Sequence, residues 1–261
     1  MFRTIRKLLL AGSAYCAVCI SLSGTPVLQN GGFETSNFAG VTCQAGKAPC
    51  NIEFDSNFAA GAGVVSNWTS TGYAIYFIGG KQTTQNATGQ FQSSGKEMLD
   101  VASTTLSLQG GNFVAMDADP TIASTVSQTV SGFTPGQYYT INFYWAASQL
   151  QSRTGVTNEQ INLTVQGSSS TDANYSSVIV TTPAQGFSNW RQEGVSFLAN
   201  SAVETLTFLG KSTSTCLPPM VLLDGVTLSA GTPEPGAFVL VGTGAALLIF
   251  SKLRKRRNGK V

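Results

Sequence analysis

Catalysis in this 261-residue chain must proceed without histidine, because it contains none. Imidazole is the usual general base near neutral pH and the usual partner of a Ser or Cys nucleophile. Its absence excludes triad hydrolysis, Cys–His chemistry and His-based zinc or iron sites. Carboxylates remain. Asp117 and Asp119 point to one side if a strand runs through both, and Glu53 and Asp55 repeat that spacing. Two acids at a suitable separation are what a glycosidase uses. Acids two apart just before Pro120 equally describe a strand end turning into solvent, and on that reading no residue is catalytic. The chain has no phosphate-loop or dinucleotide-binding glycine motif.

Aromatic rings offer a second kind of chemistry. Sugars lay their apolar C–H faces on rings while amides and carboxylates bond the hydroxyls. Trp68, Tyr73, Tyr76, Tyr144, Trp145 and Trp190 are the candidate rings, with Gln128, Asn142 and Gln149 as polar partners. On the strands of a sandwich such a ring belongs to the core more often than to a ligand. Tyr144 and Trp145 are adjacent, so on a regular strand they point to opposite faces and one of them looks outward.

The elements that must position these residues read as strands. Alternation at period two recurs over residues 73–78, 113–116, 124–130, 138–145, 161–165, 177–181, 193–198, 204–209 and 221–228, between Gly, Pro and Asn breaks. No convincing helical period lies between the two ends of the chain. Short strands over about 200 residues make a β-sandwich, in which two sheets bury each other's apolar faces. Thr134-Pro135-Gly136 is a tight turn leading into the strongest strand, and residues 39–63 and 79–111 are long polar stretches.

Both ends carry targeting patterns. Arg3, Arg6 and Lys7 precede an apolar run over residues 8–20, and Ser21-Leu22-Ser23-Gly24 offers small residues for cleavage, so residues 1–24 read as a signal peptide for Sec-type export. Tyr15 and Val18 stand before Cys16 and Cys19 where a lipidated cysteine would want a small residue. At the other end, an apolar run from Ala237 leads into the cations Lys252, Arg254, Lys255, Arg256 and Arg257. Residues 237–253 read as a short membrane-spanning helix, and the basic cluster over 252–257 holds its end in the cytoplasm. Without these ends the charge changes sign: residues 25–231 hold six Lys and Arg against twelve Asp and Glu, a net of −6, whereas the whole chain is +2. The domain therefore has no electrostatic claim on nucleic acid.

The exported part keeps Cys43, Cys50 and Cys216, an odd number for an oxidising compartment. Cys43 and Cys50 bracket a short loop and form one candidate disulfide, while Cys216 could pair with either. The Asn-x-Ser/Thr sequons at Asn67, Asn86, Asn162 and Asn174 fit an Asn- and Thr-rich surface.

Two resemblances follow. Pro233-Glu234-Pro235, a short apolar helix and a terminal arginine cluster, in that order, resemble the PEP-CTERM sorting signal of exported bacterial proteins. That resemblance covers residues 231–261 and implies recognition by an exosortase-like membrane protease. The helix would then be removed and the remainder passed to the cell surface or extracellular matrix. The succession Leu28-Gln29-Asn30-Gly31-Gly32-Phe33-Glu34, Asn67-Trp68, 113–117, 126–129, 135–139, Trp190, 197–199 and 222–228 resembles the galactose-binding-like jelly rolls, among them carbohydrate-binding modules. This implies a jelly-roll ectodomain over residues 25–230 with its first and last strands side by side. It also implies a structural calcium ion near them, with Glu34 and Asp224 as ligands. Sugar contacts are expected at Tyr144, Trp145, Trp68, Trp190 and Gln128. The function expected is non-catalytic association with surface or matrix polysaccharide. A carboxylate-based glycosidase and a protein-binding adhesin are the alternatives.

Overall fold

The computed structural model describes residues 25–35, 50–53, 65–78, 109, 111–149, 154–184, 186–215, 217 and 219–231. Twelve strands lie in this part: β1 (Cys50–Glu53), β2 (Thr69–Thr71), β3 (Ala74–Ile78), β4 (Phe113–Asp117), β5 (Thr125–Ser131), β6 (Tyr138–Gln149), β7 (Thr157–Gln166), β8 (Thr171–Ser176), β9 (Val180–Thr182), β10 (Arg191–Leu198), β11 (Val203–Lys211) and β12 (Pro219–Ala230). No helix occurs among the described residues. The expected signal peptide, membrane helix, Pro233-Glu234-Pro235 motif and basic cluster lie outside them. So do Cys43 and Cys216, the partners open to Cys50.

The strands form two antiparallel sheets. One runs β1-β3-β4-β12-β6-β10, and the other runs β2-β5-β11-β7-β8 with β9 also on β7. Local sequence explains why each strand sits where it does. In β7 and β11 buried and half-buried residues alternate, so one face is packed and the other meets solvent. β4 is buried throughout, and so are the first eight residues of β12. These are inner strands of their sheet with apolar cover on both faces, so the alternation expected over 221–228 gives way at Val221-Leu222-Leu223 to a continuous apolar run.

Between the sheets, Ile141, Phe143 and Trp145 of β6 and Val221 and Leu223 of β12 meet Ile161, Leu163 and Val165 of β7 and Leu206 and Phe208 of β11. Each such buried side chain contributes about 1.5–3 kcal/mol. A file of rings crosses the interior, with centroid separations of 5.1 Å for Phe33–Trp68, 6.3 Å for Trp68–Phe208 and 5.1 Å for Phe208–Phe143.

The opening segment is fixed against the closing strand. The Val226 N–H donates to the Gly31 carbonyl at 2.9 Å. A Cβ on Gly31 would stand 1.8 Å from the Val226 oxygen, so only glycine fits this approach. Asn30 bonds Thr35 and Ser66 through its side chain, and its carbonyl accepts from the Trp68 indole. The residues of the Asn30-Gly31-Gly32-Phe33 stretch thus act as a clamp at the sandwich rim.

Candidate functional site

Odd-numbered residues of β6 from Tyr139 to Ala147 enter the core, so the even-numbered ones face outward from the six-stranded sheet. Register then assembles a polar strip across three strands. Gln192 of β10, Tyr144 of β6 and Asp224 of β12 lie side by side. The next row is Gly194, Asn142 and Thr227, and the one after it Ser196, Thr140 and Ser229. Tyr144 and Asn142 are half-buried, while Gln192, Gly194 and Thr227 are exposed. The Asn142 amide fills the space over Gly194, where a Cβ would come within 2.9 Å of Asn142 Oδ1.

The Tyr144 ring is held by a β-bulge. The β12–β6 register shifts between Asp224 and Thr227, where Gly225 adopts φ +58°. A Cβ at Gly225 would stand 2.8 Å from Tyr144 Cδ2, so the bare glycine lets the ring lie against the backbone. Asp224 is fully buried, accepting the Gly225 N–H at 2.6 Å and the Gln109 N–H at 3.2 Å.

Beside the strip is an apolar shoulder. Phe113, Ala115, Ala146, Met220 and Leu222 form a second cluster on this outer face, with Tyr73, Phe187 and Trp190 packed against it. Trp190 is half-buried and meets Phe113 edge-on, with centroids 5.7 Å apart at 76°. Ser188 ties the segment carrying these rings to β6: its N–H donates to the Ala147 carbonyl, and its hydroxyl accepts the Ala147 N–H at 2.7 Å.

The structure separates the five residues expected to contact sugar. Tyr144 and Trp190 share the outer face. Trp145 is its outward neighbour's opposite, wholly buried, with its indole N–H on Glu193 Oε1 at 3.3 Å. Glu193 also accepts from the Tyr175 hydroxyl at 2.7 Å, and burial together with that carboxylate pushes the Tyr175 phenol up to about 12. Trp68 is equally interior. Gln128 is buried too, and its amide brackets one residue of the opening segment, accepting the Gln29 N–H and donating to the Gln29 carbonyl, both at 2.8 Å. It thereby substitutes for a strand partner. Gln192, Gly194 and Thr227, which join Tyr144 on the strip, were not singled out in the sequence; the signal for them is the period-two alternation of β10 and β12 in register with Tyr144.

The acids lie apart from the strip, except Asp224. β4 ends at Asp117, so the continued strand that would align Asp117 with Asp119 does not exist. Instead the Asp119 N–H donates to Asp117, and Asp119 Oδ1 accepts from the amide and hydroxyl of Thr121. The two acids brace a turn. Glu34 Oε1 accepts the Asn112 N–H at 3.0 Å, so Glu34 and Asp224 are both tied to the segment around 109–112. Each accepts a backbone N–H, and two carboxylates are fewer hard oxygens than a calcium ion takes. Among the described residues no group of three or more acids or thiols gathers where a metal could sit.

No family model and no curated protein matches this chain. Among solved structures it is similar to a CBM61 carbohydrate-binding module in complex with β-1,4-galactotriose, at 17% identity over 80% of this chain and 100% of that one, with a TM-score of 0.42. It is similar to a cyclase from Fischerella sp. TAU at 12% identity, over 80% and 98% of the two chains, with a TM-score of 0.49. A CBM4 structure gives 16% identity over 78% and 100%, with a TM-score of 0.38. Carbohydrate-binding modules are thus among the structures this chain resembles, and every one of these TM-scores lies below 0.5.

Proposed function

We propose that this is an exported, non-catalytic jelly-roll protein that binds or organises polysaccharide through the outer face of its six-stranded sheet. The observation that carries this reading is the placement of two half-buried rings, Tyr144 and Trp190, on one outward face beside the amides of Asn142 and Gln192 and the hydroxyl of Thr227. Half-buried rings are held rigid and keep an apolar surface open to solvent, and hydrogen-bonding groups stand next to them at strand spacing. Delivery through residues 1–24, and sorting through residues 231–261 by an exosortase-type protease, belong to the same proposal and are supported by the sequence patterns at the two ends.

The test is binding of the purified chain to a panel of polysaccharides, including the producing cell's own, with and without calcium. Saturable binding that Tyr144→Ala or Trp190→Ala removes supports the reading. Retained binding in both variants would move the site elsewhere, and no binding to any glycan would leave a protein-binding or structural role. A glycosidase would show product release that Asp117→Asn abolishes.

A further inference from the structure

A pair of acids far from the sugar-binding candidate face has an arrangement that requires explanation. Asp172 lies at the start of β8, just after the 167–170 turn, and Glu204 lies near the start of β11, just after the 199–202 connection. Asp172 Oδ2 accepts the Asn200 N–H at 2.6 Å, and its Oδ1 accepts from the Asn200 side chain at 3.0 Å and the Ser170 hydroxyl at 2.9 Å. Glu204 is fully buried; its Oε1 accepts the Ser201 N–H at 3.0 Å, while no N–H or O–H group donates to its Oε2. The successive Asn200 and Ser201 N–H groups bond one carboxyl each, which sets the two acids side by side with a buried oxygen of Glu204 left over. Two carboxylates have no hydrogen to share, so a bond between them needs one of them protonated.

We propose that Asp172 and Glu204 hold one proton between them at neutral pH, and that this proton clasps the 167–170 turn to the 199–202 connection. Glu204 is the carrier, because it is the buried member with the fewer donors, whereas Asp172 has three. The direction of titration agrees. Burial and then the adjacent Asp172 push Glu204 up to about 7. Burial raises Asp172 less than the hydrogen bonds from Asn200, Ser170 and Glu204 lower it. Gly167 makes room for the pair, since a Cβ there would stand 3.0 Å and 3.2 Å from the two Glu204 oxygens. No cation competes: residues 128–133, 166–171 and 199–203, which pack around the pair, contain no other titratable side chain. Tyr139 on the facing sheet keeps its hydroxyl on the Thr134 N–H.

The clasp bears on a wider junction. The same 199–202 connection receives the N–H groups of Gly132 and Phe133 on the Ala202 carbonyl and that of Gly136 on the Ala199 carbonyl. Loss of the proton places a negative charge on the buried Glu204 beside the half-exposed Asp172, and the connection loosens with it.

Hydrogen exchange of the full-length chain, corrected for the intrinsic pH effect, tests this at pH 6 and pH 8.5. With a carboxyl at about 7 when closed and its ordinary value when open, protection over 166–172 and 199–204 falls about tenfold between these pH values. Glu204→Gln supplies a permanent N–H to Asp172 and abolishes the pH dependence; Asp172→Asn does the same from the other side should the first variant fold poorly. Glu159→Gln, at a separate buried acid, leaves it intact. Equal protection at both pH values in the parent chain would overturn the proposal. So would a pH dependence that survives both substitutions, or protection that follows added calcium and is lost in EDTA at fixed pH.

Discussion

On the sheet of β2, β5, β11, β7, β8 and β9 the outward positions form rows of hydroxyls and amides, whereas on the sheet that carries β6 they form an apolar shoulder and a polar strip. Thr69, Ser127, Thr207, Thr164 and Asn174 lie abreast across five strands of the first. Their hydroxyls largely serve one another: Thr71 and Thr125 are 2.6 Å apart, Thr69 and Ser127 3.0 Å, and Thr129 and Thr205 2.9 Å. Such cross-strand pairs stabilise a sheet by a few tenths of a kcal/mol each and present a surface without relief. The other face has rings seated on glycine and on a private apolar cluster. A face suits a site when some of its side chains are immobilised by packing while others stay open, and among the described residues the second face combines the two at Tyr144 and Trp190.

Breaking the contrast at its strongest point means removing a ring. Tyr144→Ala lowers affinity for the bound glycan at least tenfold, about 1.4 kcal/mol, as measured by titration calorimetry, and Trp190→Ala has an effect of the same order. Displacing the Asn142 amide is the complementary change: Gly194→Val pushes it aside, and the expected loss in the same titration is about tenfold with the melting temperature little altered. Gly225→Ala places a Cβ at positive φ against the Tyr144 ring and destabilises the chain by about 1–2 kcal/mol in denaturant unfolding. At the other end of the scale, replacing Thr129 and Thr205 together by Val on the hydroxyl face changes stability by no more than about 0.5 kcal/mol and leaves glycan binding unchanged. A binding loss there equal to that of Tyr144→Ala would reverse the assignment of faces.

The interior sets a pH dependence that neither face controls. Burial pushes Glu159 up to about 7 against the pull of hydrogen bonds that include one from Thr182 at 2.6 Å, and Glu204 stands at about the same value. A carboxyl raised on folding takes up its proton more readily in the folded state. The stability it confers is full below its ordinary pKa and is lost as pH rises through about 7. Melting temperatures are therefore expected to fall from pH 5 to pH 8 and level off beyond, with Glu159→Gln flattening part of the slope.

Much of this arrangement was legible in the sequence because burial imposes alternation. Residues 138–145, 193–198 and 204–209 announce their strands by period two, and the adjacency of Tyr144 and Trp145 predicts that one ring faces out. Which of the two does so was not legible, because both neighbours on β6 are apolar enough for either face; the register with β12, whose bulge at Gly225 seats Tyr144, decides it. β8, with the sequence TDANYS, escaped notice because only Ala173 and Tyr175 mark its inner face. β2 is three hydroxyl residues whose identity as a strand comes entirely from pairing with β5. The residue type of Gln128 suits a sugar partner, yet its place opposite Gln29 comes from a contact spanning 99 residues, which no local pattern encodes.

The last described residue gives the fold a mechanical character. Gly231 donates its N–H to the Tyr138 carbonyl at 2.7 Å, directly beyond the long β12–β6 ladder. Ladder hydrogen bonds in an antiparallel pair run across the strands. A tension applied through the chain beyond Gly231, resisted by a polymer gripped at Tyr144, would run along β12 and load those bonds sideways and together rather than peel them one at a time. Under such a load the strand that carries Asp224 and the bulge would bear the tension along its whole length.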